Sequence, residues 1–357
     1  MSAEGIKKYD QAIFSKPLKI LATFCDMDIS IIIVSFNTRD LLKACLDSLF
    51  TTIKGVTFEI IVIDNYSSDG TREMLAQDYL SVRCFFNQEN IGFSAANNKG
   101  ASEARGTYLF FLNSDTVVRE NAVNVLLRTI KDKKYAMAGP RLIGLNGKIQ
   151  YMCARRFPSL SGTLYNMLLL ERLFPQSRIF GKNLMGYWDH KICRPVDSLS
   201  GAAIIIEKKL FKKIGGFNEE YLFYSEDIDL CYNAHKSGGV VFYCADAEII
   251  HYGGESSKTS KKRSKFYEIV LFNSNKLYFK KNTSWRCFLV FNLIAAAASI
   301  LRLILIVLVG PFYRFRQDSD YGMPSIYKYS QIFLLAIGIK NIKQYELSFK
   351  NCGVRYD

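Results

Sequence analysis

The chain has 357 residues, enough for one large domain with appendages or for two modest ones. Hydrophobic residues make up 49% and charged residues 22%, which excludes a disordered or low-complexity protein. Against 33 Asp and Glu stand 47 Lys and Arg, a formal net charge of +14, and that excess narrows the polyanionic partners to nucleic acid, anionic lipid or phosphorylated substrates.

Residues 1–28 mix charges throughout without a sustained apolar core, so no secretory leader is read there and they are set apart as an N-terminal extension. Ile29–Phe36 (ISIIIVSF) is a β-branched run of the kind a strand buried on both faces requires. Over Asn37–Leu49, residues Leu41, Leu42, Cys45, Leu46 and Leu49 recur at helical spacing. Phe58–Ile63 is a second buried strand, ending in Asp64. It is followed by a helix near Thr71–Gln77, a strand near Val82–Phe86, a helix near Ala95–Ala104 and a strand at Tyr108–Leu112. This alternation predicts a parallel sheet with helices on both faces, whose ligands bind in the crevice beyond the carboxyl ends of the strands. After Gly139 and Pro140 the pattern loosens through Pro158, Pro175 and Pro195, as an insertion carrying acceptor specificity would, and order returns with Ala202–Ile206 and Lys208–Lys213.

From Cys287 to Val309 the sequence is almost wholly apolar, long enough for a hydrocarbon layer of ~30 Å. Arg302 lies within it, Lys276, Lys280, Lys281 and Arg286 precede it, and Arg314 and Arg316 follow. This distribution favours a re-entrant or in-plane helix, or a buried core helix, over a simple span. Together with the cluster Lys258–Arg263 (KTSKKR), it favours lipid head groups, so an inner-leaflet membrane surface is expected as partner and nucleic acid is not. Nine cysteines form no CxxC pair, which suggests neither a zinc site nor a disulfide framework and fits a reducing, cytosolic setting.

Polar clusters follow the strands. Asp64, Asn65, Ser67, Ser68, Asp69, Gly70 and Thr71 (DNYSSDGT) place a carboxylate at a strand end, where it can accept from the imide N–H of a uracil or thymine ring. The same residues also read as an ordinary turn with Asp69 capping the next helix. In Asn90–Gly100 (NIGFSAANNKG), small residues let backbone approach a ligand, or simply begin a helix. Asn113-Ser114-Asp115 sets a carboxylate where a hard cation could meet a diphosphate. Glu226, Asp227 and Asp229, three acids within four residues, repel one another unless a cation, a basic partner or a proton intervenes; alternatively they favour a helix N-terminus. His251 stands at a strand end before Gly253 and Gly254, as a ligand or as a structural histidine.

In order, ISIIIVSFN, VIDNYSSDGT, NIGFSAANNKG, FFLNSD, SGAAIII, GGFNEEYLFYSEDIDLCYNA and IIHYGG resemble the motifs of inverting family 2 glycosyltransferases of the GT-A fold, of the rhamnosyltransferase type that works on bacterial polysaccharide. The resemblance covers roughly Ile29 to Gly254. It implies an α/β nucleotide-sugar-binding domain with a mixed sheet at 29–256, between the extension at 1–28 and a helical, membrane-associating region at 257–357. It further implies donor contacts from Ser35, Asn37, Asp64, Asn65, Asn90, Gly92, Asn97, Asn113 and Ser114, and a magnesium or manganese ion on Asp115 and His251. Asp227 is then the catalytic base, with Gly201 and Glu226 on the acceptor side. The triplet begins with Asn113 instead of Asp, so fewer carboxylates serve the metal. The expected reaction moves a sugar, rhamnose from dTDP-rhamnose being the best match, onto a saccharide or polyprenyl-diphosphate-linked acceptor at the cytoplasmic face of the inner membrane. Two rivals are a nucleotidyltransferase, whose glycine- and basic-rich loop is missing from Ser35–Asp40, and a non-catalytic, membrane-associated sugar-binding or scaffold protein of the same fold, which would tolerate loss of Asp115 or Asp227.

Overall fold

The computed structural model describes residues 27–221, 223–253, 261–313 and 322–340. Residues 1–26, Gly254, the side chains of Lys258–Arg263, and Arg314 and Arg316 lie outside the described residues.

The β-branched runs become the centre of a nine-stranded sheet. Strand β1 (Ile29–Ser35) is followed by α1 (Arg39–Thr52), β2 (Phe58–Asp64), α2 (Thr71–Asp78), β3 (Arg83–Phe86), α3 (Phe93–Glu103) and β4 (Tyr108–Asn113). These four strands are mutually parallel, with β1 between β2 and β4. Register pairs Ser35 with Asp64 and Val34 with Asn113, so three polar strand ends finish at one level. Ile31, Ile32 and Ile33 are fully buried, as a strand covered on both faces must be. Gly100 lets α3 lie close against this layer, since a Cβ there would fall 2.5 Å from Ile32 Cγ2.

Beyond β4 the sheet departs from the parallel expectation and becomes mixed. The chain continues through β5 (Thr116–Val118), α4 (Ala122–Lys133) and β6 (Met137–Ile143). An irregular stretch follows, with β7 (Ala154–Arg155), α5 (Leu160–Met167), α6 (Leu170–Leu173), β8 (Arg194–Pro195) and β9 (Ser198–Leu199). Regular structure resumes with β10 (Ala203–Glu207), α7 (Lys208–Lys213), α8 (Glu226–Lys236) and β11 (Val241–His251). Strand β10 runs antiparallel to both β4 and β6, while β5 and β8 run antiparallel to β11.

Gly139 and Pro140, where the sequence pattern loosens, sit inside β6. Proline has no N–H for a ladder and is confined to edges and irregularities. Pro140 lies past the last residue paired to β10, at the point where the register with β11 jumps from Cys244 to Glu248. The bulge of β11 absorbs the missing donor.

Three helices complete the described chain, α9 (Lys261–Asn282), α10 (Trp285–Tyr313) and α11 (Gly322–Ala336). They form a second apolar cluster in which Ile269, Phe272, Phe279, Phe291 and Leu335 pack with Ile228 of α8. The apolar run Cys287–Val309 thus belongs to one long helix whose inner side is seated on the rest of the protein.

Candidate active site

At the end of β2, Asp64 is fully buried. Its Oδ2 accepts from Arg72 Nε at 3.0 Å and from the Ser67 N–H at 3.3 Å. Its Oδ1 is buried with no partner. An acceptor left unsatisfied in this way costs about 1–3 kcal/mol, which a ligand N–H such as a pyrimidine imide could offset. Arg72 is itself fixed, donating to the Asn87 carbonyl at 3.0 Å and lying over the Phe86 ring.

The neighbouring amides shape the loop around this carboxylate. Asn65 donates from Nδ2 to Asn90 Oδ1 and to the Gly92 carbonyl, and its Oδ1 accepts from Asn87 Nδ2 at 2.8 Å. The structure therefore brings Asn65, Asn90 and Gly92 together. Gly92 opens α3 at φ 86°, a left-handed geometry that suits glycine. Asn97 is buried and donates back to the Phe93 carbonyl of its own helix. Asn37 stitches the ends of β1 and β2, its N–H donating to Ser67 Oγ and its Oδ1 accepting from the Ser68 N–H. Asp69, read as a cap, accepts from the Thr71 N–H and also from the Arg39 N–H, tying the starts of α1 and α2.

A hydroxyl relay runs from Ser35 through Thr38 to Ser114, at 3.1 and 2.9 Å. Next to it, Asp115 is largely buried and its Oδ1 lies 3.4 Å from His251 Nε2. On the other side of the ring His251 Nδ1 meets Gln150 Oε1 at 2.8 Å, while Gln150 Nε2 donates to the His251 carbonyl at 2.7 Å. That second bond orients the amide, so Gln150 Oε1 must accept and Nδ1 must carry the hydrogen. His251 Nε2 is then the ring nitrogen that faces the Asp115 carboxylate. One ring nitrogen with one carboxylate could together hold magnesium or manganese that also engages a diphosphate.

The acid cluster opens α8. Asp227 Oδ2 accepts from Arg155 Nη2 at 2.6 Å and from the Gly201 N–H at 2.9 Å, and Oδ1 accepts from the Ile228 N–H at 2.8 Å. A carboxylate offers about four acceptor positions, so one remains on Oδ1. A Cβ on Gly201 would crowd this contact, falling 3.3 Å from the Asp227 Cβ. Its neighbour Ala202 accepts from the Asn113 N–H at 2.9 Å, which joins the acid cluster to the Asn113-Ser114-Asp115 triplet. Glu226 is buried beside Asp227, and its Oε2 has no partner. Burial and the Asp227 charge push its carboxyl up to about 8. Asp229 belongs to another network, accepting from Tyr221 and Asn282.

Sequence patterns did not single out Arg72, Gln150 or Arg155. Arg72 sits in the first turn after the Asp64 motif, a position the motif spacing could have flagged. Gln150 and Arg155 fall in the loosened stretch, where no periodicity points anywhere. Nor did spacing show that Cys193, Cys244 and Asp246 bring ligand atoms within 4.8 Å of one another at the β8 edge.

The sequence profile described as Glycosyl transferase family 2 matches residues 30–196. That match spans just under half of the chain and makes this stretch similar to the family. Among proteins similar to it, the low-salt glycan biosynthesis hexosyltransferase Agl10 of Haloferax volcanii is 27% identical over 243 residues, 67% of this chain and 71% of that protein. Rhamnosyltransferase WbbL of Escherichia coli K12 is 26% identical over 238 residues, 64% of this chain and 85% of its own length. An N-acetylglucosaminyl-diphospho-decaprenol L-rhamnosyltransferase of Mycobacterium tuberculosis is 27% identical over 224 residues, covering 56% of this chain and 67% of that one. A crystal structure of GalNAc-T7 with UDP, GalNAc and Mn2+ superposes with a TM-score of 0.50 at 18% identity, over 72% of this chain and 50% of that one, and shares the fold. The matched stretch ends short of α8, so the α8 acids lie outside it.

Proposed function

We propose that this glycosyltransferase is an inverting hexosyltransferase that moves a sugar from a nucleoside-diphosphate donor to a saccharide acceptor carried on a polyprenyl diphosphate. Rhamnose from dTDP-rhamnose is the favoured donor, since two of the similar proteins are rhamnosyltransferases by name. The observation that carries the reading is the Asp115 and His251 pair, a carboxylate oxygen and a ring nitrogen 3.4 Å apart, bonded through Asn113 and Ala202 to the loop that holds Asp227.

In this reading Asp64 Oδ1 takes the imide N–H of the donor base, and the loop of Asn65, Asn90 and Gly92 frames it. Asp115 and His251 hold magnesium or manganese, which when bound neutralises the departing diphosphate. Asp227 accepts the proton of the acceptor hydroxyl on Oδ1 as that oxygen attacks the anomeric carbon. The bond from that carbon to the diphosphate oxygen breaks on the opposite face, and the configuration inverts without a covalent enzyme intermediate. Residues 29–256 serve as the catalytic unit. The region 257–357, through its described helices α9, α10 and α11, keeps it at the cytoplasmic face of the inner membrane, where such an acceptor is presented.

The test is a panel of nucleotide sugars with manganese, scored by thermal shift and by release of nucleoside diphosphate in the presence of a lipid-diphosphate saccharide. A bound donor raises apparent stability by mass action, and dTDP-rhamnose should give the largest shift. Failure of every nucleotide sugar to stabilise the protein or to be consumed overturns the reading.

A further inference from the structure

Around the axis of α10, the residues Trp285, Leu289, Leu293, Ile300, Ile304 and Leu308 are exposed and recur at intervals of four or seven, so they form one continuous stripe. Trp285 is 70% exposed. No charged residue stands on this stripe between Cys287 and Leu308. The opposite side is packed from Phe291 to Arg302. Phe291 stacks on Phe279 and Phe272, with ring centroids 4.5 and 5.6 Å apart, and Ala295, Ala298 and Ser299 are buried. Arg302, which counted against a simple span, turns inward and donates from Nε and Nη2 to the Met167 carbonyl at the end of α5. Every polar side chain within the apolar run, Asn292, Ser299 and Arg302, therefore falls on or beside the packed side. A core helix would be covered, yet only 22% of the most apolar window is buried.

Such a helix does not stand across a bilayer on its own. A perpendicular crossing would carry α5 of the irregular stretch and Lys276 of α9 into hydrocarbon along with it, at several kcal/mol for each unpaired polar group. We propose instead that α10 lies in the plane of a lipid leaflet with its outer stripe sunk among the acyl chains, and that the segment leaving α5 is a second contact on the same leaflet. This rests on the membrane location proposed above and adds its geometry. Just past the Met167 contact the chain exposes Leu173 at 65% and Phe174 at 52% between the exposed Arg172 and Arg178. At the other end, Arg286 lies over the Trp285 ring near the exposed Lys280. Apolar side chains rimmed by cations match an anionic leaflet in both properties, and the two contacts together give the pair of signals that stable attachment requires.

Depth measurement tests the geometry on the full chain. With Trp188→Phe and Trp285→Phe as background, Leu293→Trp, Ile304→Trp and Leu173→Trp are each made and mixed with vesicles of phosphatidylethanolamine and phosphatidylglycerol whose acyl chains carry bromine at defined depths. In-plane binding places all three tryptophans at one shallow depth, about 5–10 Å below the head groups. A spanning helix would separate Leu293→Trp from Ile304→Trp by about 16 Å, because 11 residues rise 1.5 Å each. That separation, or an unquenched Leu173→Trp in protein that floats with the vesicles, overturns the proposal while leaving the membrane location intact. Protein that does not float at all, or that migrates as a dimer with α10 covered, overturns both.

Discussion

The Arg155 guanidinium and the Asp227 carboxylate form an ion pair 2.6 Å long in which both side chains are largely enclosed. The pair occupies Oδ2 together with the Gly201 N–H and leaves the open position on Oδ1, where the proposed reaction would need it. Asp227→Asn keeps the shape and removes the proton-accepting charge. Transfer should fall by about 10²–10⁴-fold while donor affinity stays unchanged by calorimetry. Turnover above a tenth of wild type would remove Asp227 from the role.

Gln150 determines which nitrogen of His251 faces Asp115. Gln150→Leu takes away the acceptor for Nδ1–H and should weaken metal affinity by roughly 10–100-fold, read as the manganese concentration that gives half-maximal activity. Gln150→Glu keeps an acceptor and should recover part of the loss. An unchanged metal requirement in both variants would count against His251 as a ligand.

Glu226 links stability to pH with a definite sign. Its folded-state carboxyl is raised to about 8 from an ordinary value of 4.5, so the folded protein holds this proton more tightly than the unfolded chain. The stabilisation is fully present below about 4.5 and is lost as pH rises through about 8. Glu226→Gln, neutral at every pH, should melt near the wild type at pH 5 and above it at pH 9. Calorimetry across that range decides the matter, and a Tm difference that does not vary with pH would refute the raised value.

Asp64→Asn replaces one carboxylate oxygen by an N–H₂. Whichever way the amide turns, either Arg72 or the donor base then faces a donor instead of an acceptor. Losing a hydrogen bond to a charged group is worth about 1.5–3 kcal/mol, so affinity for a thymine or uracil nucleotide sugar should drop by roughly 10–100-fold. Titration calorimetry with the nucleoside diphosphate alone reads this without turnover, and unaltered binding would show that Asp64 does not meet the base.

The half of the fold built from β1 to β4 was legible because ISIIIVSF, FEIIVI and YLFFL can only be strands covered on both faces, and the polar residues at their ends mark where the sheet opens. What followed was hidden for physical reasons. Strand β6 contains Gly139 and Pro140, which read as punctuation until the bulge in β11 is seen to accommodate them. The antiparallel course of β10 leaves no trace in a short apolar run, since AAIII looks the same in either direction. Helix α9 mixes lysines with aromatics and has no clean apolar stripe, because its inward residues meet two neighbours, α10 and α11. Within the site, Asp64, Asp115 and Asp227 could be named because acids at strand ends or crowded together are costly without a purpose. Gln150 and Arg155 are single polar residues in irregular chain, and only their partners give them meaning.

The hydrogen bond from the Asn113 N–H to the Ala202 carbonyl has a thermodynamic corollary. It places the residue that begins the cation-side triplet and the residue next to Gly201 on one ladder between antiparallel strands. In the proposed reaction, an acceptor that displaced Gly201 would pull on the same rungs that hold Asn113, and a donor settled against the triplet would push back along them. Affinities linked in this way are reciprocal, so whatever factor a bound donor contributes to acceptor binding, a bound acceptor must return to the donor.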